Sequence, residues 1–244
     1  MLQVTWIYDE LSAPYILSTL LITKRPTSDT QRGDQKMPVL DQLDAKQLIS
    51  PTSGKLRHLI ETHFDDLFTS PCNVPSGYVS HMYNRYLALP QALRSNSMNG
   101  SVFHLIVAVA LFRSGIHPLY QEASITFVPH AIFDIVAFRS DESIVCFSLK
   151  TSFRERWKQA DLEARALKMV HRRAQCLLIS YETDDANTTR RKIASGGAIA
   201  LDNAISAVTI QFDDLIKELS SHEFIVPPTV PMMQKAQLSS TNPL

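Results

Sequence analysis

Three charged side chains occur in one stretch of the chain at a spacing that could serve metal-dependent chemistry. Asp134, Lys150 and Glu163 all fall within the segment IFDIVAFRSDESIVCFSLKTSFRERWKQADLE, which starts at Ile132. An ionised carboxylate among apolar neighbours, as at Asp134, is costly unless a cation or several hydrogen-bond donors compensate its charge. Two carboxylates that share a divalent cation beside a lysine could activate a water molecule to hydrolyse a phosphodiester. The alternative for Asp134 is a position at the edge of a strand, pointing to water.

The pattern also predicts the elements that carry these residues. IFDIVAF and SIVCFSL are short apolar runs rich in β-branched and aromatic residues, and the polar residues RSDE between them indicate a turn. We therefore predict a β-hairpin with Asp134 inside its first strand and Lys150 at the end of its second strand. A helix should follow, because Ser152 and Glu155 have the spacing of a capping box. Apolar residues within 153–174 then recur at helical intervals of three, four or seven.

The same residues resemble a known nuclease core. Asp134, followed by a strand that ends Ser148-Leu149-Lys150, is similar to the PD-(D/E)XK motif. The continuation KTSFRERWKQADLE resembles the branch that contains EcoRII and the type II restriction endonucleases recognising CCGG and CCNGG. Most members of the wider fold carry an acidic residue two positions before the lysine, where this chain has Ser148. In the EcoRII-like branch the next helix supplies that acid thirteen residues after the lysine, and that position is Glu163 here.

This resemblance implies a role for each residue of the motif. Asp134 and Glu163 would hold Mg²⁺, and Lys150 would hold or deprotonate the attacking water beside the phosphate. Glu122 and Ser148 are candidates for outer contacts to the metal site, although an acid such as Glu122 is more commonly a surface residue. Cys and His residues do not have the spacing of a zinc site, so Mg²⁺ is favoured over zinc.

The cluster Arg154-Glu155-Arg156 resembles the Arg-acid-Arg cluster with which members of this branch read C·G pairs. A guanidinium can bond O6 and N7 of guanine together, and a carboxylate can accept from the amino group of cytosine. Lys158 could contact a phosphate or a base edge. The alternative is that Glu155 is simply the acid of the capping box and the three basic residues are solvated. Two cations at the start of a helix oppose its dipole, which favours a polyanionic partner.

Together these features imply a Mg²⁺-dependent type II site-specific deoxyribonuclease. The resemblance implies double-stranded DNA as substrate, a short palindromic or near-palindromic site containing CC and GG, and products with 5′-phosphates. Cutting both strands requires two active sites related by a two-fold axis, so a homodimer is expected. Two alternatives stay open: a catalytically inactive DNA-binding protein of the same fold, and a repair or mobile-element nuclease of low specificity.

Composition sets wider limits on the class of protein. The chain has 244 residues, of which 45% are hydrophobic, so it can bury a sizeable core. A formal net charge of zero argues against DNA binding by bulk attraction but is compatible with a site-specific nuclease. The three dispersed cysteines do not form a disulfide framework, and the sequence shows no signal-peptide pattern. We therefore expect a cytoplasmic protein without membrane contact.

The predicted fold is α/β, with a restriction-endonuclease-like core in which helices flank a central mixed sheet. Residues 97–225 form the predicted catalytic core, with elements in the order α-β-β-β-α-β-α-β-α. Residues 1–96 are predicted to be a mostly helical region that assists dimerisation or clamps DNA, with an exposed linker around residues 25–37. Residues 226–244 are predicted to be a flexible tail.

Overall fold

The computed structural model describes residues 37–46, 48, 54–125, 127–128, 131–153 and 155–227, and the backbone of Met232–Leu238. The described residues belong to one compact unit. The linker predicted around residues 25–37 lies outside the described residues except for its last residue, so it stays a prediction.

The described residues form helices and strands in the order predicted for the core. The helices are α1 Val39–Ala45, α2 Gly54–His63, α3 Pro75–Leu87, α4 Asn96–Arg113, α5 Trp157–Val170, α6 Thr183–Ala194 and α7 Ile210–Leu219. The strands are β1 Leu119–Ile125, β2 Phe133–Phe138, β3 Ile144–Lys150, β4 Gln175–Ser180, β5 Asn203–Ser206 and β6 Met232–Leu238. From α4 to α7 the order α-β-β-β-α-β-α-β-α is confirmed.

One mixed sheet joins these strands in the order β5-β4-β3-β2-β1-β6. Strands β1, β2 and β3 pair antiparallel, whereas β3, β4 and β5 pair parallel and are connected through α5 and α6. Strand β6 pairs antiparallel with β1. The sequence predicts a flexible tail at residues 226–244, but Met232–Leu238 adds a strand there, because β1 would otherwise present an unpaired row of backbone groups.

A tight turn joins β2 to β3, as the RSDE pattern predicts. The N–H of Arg139 donates to the carbonyl of Ser143 at 2.9 Å, and the N–H of Glu142 donates to the carbonyl of Arg139 at 3.0 Å. One carboxylate oxygen of Asp141 accepts both the N–H and the hydroxyl of Ser143. These bonds hold the hairpin in one register.

Helices cover both faces of the sheet, which confirms the predicted architecture. One hydrophobic cluster joins one face to α1–α4 and α7, and a second cluster joins the other face to α5 and α6. Helix α4 is buried over most of residues 102–111 and forms the centre of the first cluster. The Ser95 hydroxyl caps the start of α4 by accepting the N–H of Met98 at 3.1 Å. Gly115, with φ of 81°, follows the end of α4.

The helices that precede the predicted core are not a separate body. Buried residues of α1, α2 and α3 belong to the same hydrophobic cluster as those of α4. The structure therefore has no boundary at residue 96, and a role of this region in dimerisation or DNA clamping stays a prediction. Within the described part of the chain, no helix has both the length and the apolar character needed to cross a membrane.

Candidate active site

Strands β2 and β3 part from each other at Asp134. Their register runs up to the pair Ile135↔Phe147 and stops before Asp134. Beyond this point a side-chain hydrogen bond replaces the backbone hydrogen bonds between the two strands, because Oδ2 of Asp134 accepts the backbone N–H of Leu149 at 2.6 Å. The same oxygen accepts a hydrogen bond from Lys150 Nζ at 2.8 Å. The opening between the two strands is therefore bridged by a carboxylate.

Asp134 and Lys150 form an ion pair that is largely shielded from solvent. Their side chains are 18% and 21% exposed. An ammonium and a backbone donor both compensate the charge of this carboxylate. The alternative of an Asp that simply points to water is wrong. Lys150 is held with its ammonium at a fixed position beside the end of the strand.

Glu163 lies on α5 beside this ion pair. Burial raises the pKa of Glu163 above its ordinary value, while the hydrogen bond from Gln159 and the charge of Lys150 lower it and the charge of Asp134 raises it. The amide of Gln159 donates to Glu163 Oε1 at 2.8 Å. Since both charges of the ion pair act on this carboxylate, α5 brings it close to them. The three predicted residues therefore interact electrostatically, and a metal site shared by Asp134 and Glu163 stays a prediction.

Ser148 occupies the position at which the wider fold carries an acid. It is 5% exposed and lies opposite the point where β2 leaves β3. Because alternate residues of a strand share a face, Ser148 and Lys150 lie on the same side as Cys146, whose cluster packs beneath α5. A small side chain therefore stands at this position, on the face of the sheet that α5 covers.

Buried contacts set the rotation of α5 about its axis. Trp157, Ala160, Ala164 and Leu167 face the sheet as one apolar stripe. On the same helix Asp161 is 7% exposed, and its Oδ1 accepts the backbone N–H groups of residues 199, 200 and 201 at 2.9, 2.8 and 3.1 Å. These contacts fix the helix against the loop before β5 and thereby set the position of Glu163 on it.

The predicted capping box at Ser152 and Glu155 is wrong. Helix α5 begins at Trp157, after a turn, and its start has no side-chain cap. Tertiary bonds hold the preceding segment outside the helix: the ring of Phe153 is 1% exposed, and its N–H donates to a carboxylate oxygen of Asp185 at 2.6 Å. The sequence spacing could not predict this, because Asp185 is contributed by α6.

The predicted DNA-reading residues follow Lys150 along this segment. Arg154 lies outside the described residues. Glu155 and Lys158 are ion-paired to each other and mostly exposed, at 76% and 60%. The guanidinium of Arg156 donates to the carbonyl of Ser152 at 2.8 Å. Two of the four predicted readers are thus engaged with each other, while Arg156 is held by its own loop.

A cavity of about 730 Å³ connects Lys150 to part of this segment. Glu155 and Arg156 line it on one side, and the first turn of α4 lines it on the other. His104 was not among the predicted site residues, but it lies on α4 at this cavity and contacts the carbonyl of Leu149 at 3.0 Å. A carbonyl oxygen only accepts, so His104 Nε2 carries the proton in this contact. The apolar helix pattern gave no signal for it, because the contact depends on how α4 crosses β3.

Glu122 lies opposite Asp134 in the register of β1 and β2. Its neighbours Gln121 and Ala123 pair with the two residues that flank Asp134. Glu122 is exposed and has φ of 45°, in the left-handed region that non-glycine residues rarely adopt. Its backbone therefore lies across from the ion pair, and an outer contact to a metal site stays a prediction for this residue.

The donor set suits a cation that keeps much of its water. Among the described residues, no group of three or more His, Cys, Asp or Glu is placed to hold a metal ion. Asp134 and Glu163 supply two carboxylates for such a cation. Mg²⁺ is commonly bound by one or two carboxylates together with several waters. Burial also raises the pKa of the Cys146 and Cys176 thiols, which opposes ligation of zinc by thiolate.

Comparison with known proteins gives one distant structural similarity. No family model and no curated protein matches this chain. The solved structure titled as the restriction endonuclease PspGI with substrate DNA is similar at 17% sequence identity, over 75% of this chain and 85% of that chain, with a TM-score of 0.47. A similarity at this level carries no argument about activity, so the function proposed below rests on the site itself.

We predict that Glu163→Gln stabilises the protein at pH 7 in the absence of divalent cations. The pKa of Glu163 is raised in the folded state, so the ionised carboxylate is disfavoured there and its cost grows as pH rises above the unfolded value of 4.5. Removing the charge should add about 1 kcal/mol to the free energy of unfolding, or about 2–4 °C in Tm. Thermal melts in EDTA measure this gain.

The gain should vanish below pH 4.5, where wild-type Glu163 is protonated in both states. Mg²⁺ should stabilise the wild type more than the variant, since the variant lacks one of the two carboxylates. An equal Mg²⁺ response in both proteins would remove Glu163 from the cation site.

Proposed function

We propose that this protein is a Mg²⁺-dependent type II site-specific deoxyribonuclease of the PD-(D/E)XK class, similar to the EcoRII-like branch. It hydrolyses phosphodiester bonds of double-stranded DNA at a short palindromic or near-palindromic site containing CC and GG, and it leaves 5′-phosphates. It acts as a homodimer in the cytoplasm.

One observation carries this proposal. Asp134 Oδ2 binds both Lys150 Nζ and the N–H of Leu149 where β2 and β3 part. The charges of Asp134 and Lys150 also shift the pKa of the half-buried Glu163. Two carboxylates and a fixed ammonium at the end of a sheet are suited to phosphoryl chemistry, because charge gathers on the phosphoryl oxygens as the bond breaks.

Lys150, Asp134 and Glu163 have separate roles in the proposed hydrolysis. Lys150, oriented by Asp134, orients the attacking water and neutralises charge on a phosphoryl oxygen. Asp134 and Glu163 would hold Mg²⁺, which when bound would supply a Lewis acid and lower the pKa of coordinated water. Lys150 and Leu149 both bind Oδ2 of Asp134 and thereby fix the orientation of this carboxylate.

Recognition is assigned to the segment that follows Lys150. Arg154 and Arg156 would bond guanine, Glu155 would accept from cytosine, and Lys158 would contact the backbone. The shared cavity of Lys150, Glu155 and Arg156 supports this assignment, because it puts readers and catalytic lysine along one surface. A two-fold axis would give each half-site its own copy of the segment.

Incubation of the purified protein with plasmid DNA and Mg²⁺ tests the proposal directly. Discrete fragments with 5′-phosphate ends that map to sites containing CC and GG support it. A smear would indicate instead a repair or mobile-element nuclease of low specificity. Binding without cutting would indicate a catalytically inactive DNA-binding protein of this fold. Sequencing of the fragment ends gives the full recognition sequence and the cut position.

We predict that Arg156→Ala and Arg154→Ala each reduce discrimination between the cognate site and random DNA. Loss of one bidentate contact to guanine removes about 1–3 kcal/mol, which is roughly 5- to 150-fold in the specificity ratio. Competition binding in Ca²⁺ measures this ratio. Arg173→Ala is the matched control, because Arg173 is 69% exposed and is ion-paired with Asp141 at the hairpin turn, away from Lys150. If the ratio is unchanged in both variants, neither arginine reads a base.

A further inference from the structure

The loop between β1 and β2 lies at the catalytic end of the sheet. β1 ends at Ile125 and β2 begins at Phe133. Because β2 and β3 are antiparallel, the start of β2 is adjacent to the end of β3, where Lys150 binds Asp134. The loop therefore flanks the ion pair on the side away from β4. Residues 126, 129 and 130 of this loop lie outside the described residues.

Phe127 in this loop is exposed, and its backbone has a left-handed conformation that Gly or Asn adopts more readily. Its side chain is 81% exposed. The N–H of Val128 donates to the carbonyl of Ile125 at 3.0 Å, which closes a turn with Phe127 as its third residue. Phe127 has φ of 68°, and turns with a left-handed third residue favour Gly or Asn. A bulky aromatic residue there is unfavourable both for the backbone and for its solvated ring.

Buried neighbours hold the Phe127 ring outward. Ile125 and Val128 are 2% and 3% exposed, and both belong to the hydrophobic cluster beneath α5. The turn is thus anchored on both sides of its tip, and Phe127 cannot join the core without undoing that anchor. Ile132, 59% exposed, adds a second apolar side chain two residues before Asp134.

We propose that Phe127 is an apolar wedge that contacts a base step of bound DNA next to the cleaved phosphate. This inference rests on the nuclease function proposed above, and it adds a DNA contact outside the segment that follows Lys150. An aromatic ring makes no favourable contact with a phosphate. A ring exposed beside the phosphate site would therefore contact the stacked bases or the sugars of the DNA. Phe127 would then help to distort the duplex so that the scissile phosphate reaches Lys150.

Phe127→Gly is the central test, because Gly suits the turn and should leave the Tm unchanged or higher. Fluorescence anisotropy with short synthetic duplexes carrying CCGG or CCNGG, in Ca²⁺, should show about tenfold weaker binding by Phe127→Gly. The dependence of affinity on salt should keep its slope, since the lost contact is not to a phosphate. Phe127→Trp retains an aromatic face and should bind like the wild type.

Met169→Ser is the matched control. Met169 is 79% exposed and lies near the end of α5, which runs from the catalytic end of the sheet to the opposite end, where β4 begins. Loss of a solvated apolar side chain there should change neither DNA binding nor cleavage. A base analogue placed beside the mapped cut site should become fluorescent with the wild type and with Met169→Ser, but not with Phe127→Gly.

The outcomes separate this inference from the function on which it rests. If the wild type cuts DNA and Phe127→Gly binds and cuts equally well, the wedge is refuted while the nuclease stands. If the wild type neither binds nor cuts any duplex, both fail. If sedimentation shows that Phe127→Gly dissociates into monomers and its binding defect follows that dissociation, the ring contacts a second copy of the chain and the wedge is refuted.

Discussion

Lys150→Ala and Glu163→Ala should each reduce the rate of DNA cleavage by about 10³-fold or more. Lys150 is the ammonium that Asp134 fixes at the end of β3, and Glu163 is the carboxylate that α5 would add to the proposed site. Neither change removes a base contact, so DNA binding in Ca²⁺ should stay within about twofold of the wild type. Single-turnover cleavage and equilibrium binding measure the two effects separately.

Lys217→Ala is the control for loss of a lysine, since Lys217 is exposed on α7, which packs on the opposite face of the sheet from α5. It should cut like the wild type. If either site variant still cuts at the wild-type rate, the corresponding residue is not part of the site. Loss of cutting together with a large fall in Tm would point instead to damaged folding.

Asp161→Ala should lower the free energy of unfolding by about 3 kcal/mol, which corresponds to about 6–12 °C in Tm. One buried oxygen of Asp161 accepts three backbone N–H groups from the loop before β5. Truncation leaves those donors without an acceptor, and two of them belong to Ala200 and Leu201, which are 5% exposed. Chemical denaturation monitored by circular dichroism measures the loss.

Asp161→Asn tests how much of the stability comes from the acceptor oxygen and how much comes from its negative charge. It keeps an oxygen at the same position and should lose less than half as much stability, because hydrogen bonds to neutral acceptors are weaker. Asp214→Ala, at an exposed position of α7, should change stability by no more than about 0.5 kcal/mol. Equal losses in Asp161→Ala and Asp214→Ala would contradict the role given to the three N–H bonds.

The spacing of apolar residues along the chain predicted most strands and helices of the core, because each of these elements buries apolar side chains at regular intervals. The run SIVCFSL is entirely apolar or small, and as β3 it is buried on both faces between α4 and α5. The apolar residues of α5 recur at helical intervals and form one buried stripe, which predicts the orientation of Glu163 on the adjacent flank. Asp134 and Lys150 could be placed together because a hairpin brings the start of one strand to the end of the next.

What the sequence did not predict depends on partners that are distant along the chain. Helix α5 starts later than the capping-box spacing indicates, because Asp185 on α6 holds Phe153 outside the helix. The β6 strand forms in a segment with tail-like composition because β1 supplies a pairing edge. His104 reaches the site by the crossing of α4 over β3, which no spacing along the chain encodes.

The hairpin turn is remote from the ion pair along β2, yet it decides which side of the sheet receives the Asp134 carboxylate. Side chains alternate along a strand, so a slip of one residue between β2 and β3 would turn that carboxylate toward α4 and away from Glu163. The Asp141 bonds to Ser143 lock the alignment at the far end. An insertion between Arg139 and Ser143 that shifted this register would therefore disrupt the proposed site from a distance, without altering Asp134, Lys150 or Glu163.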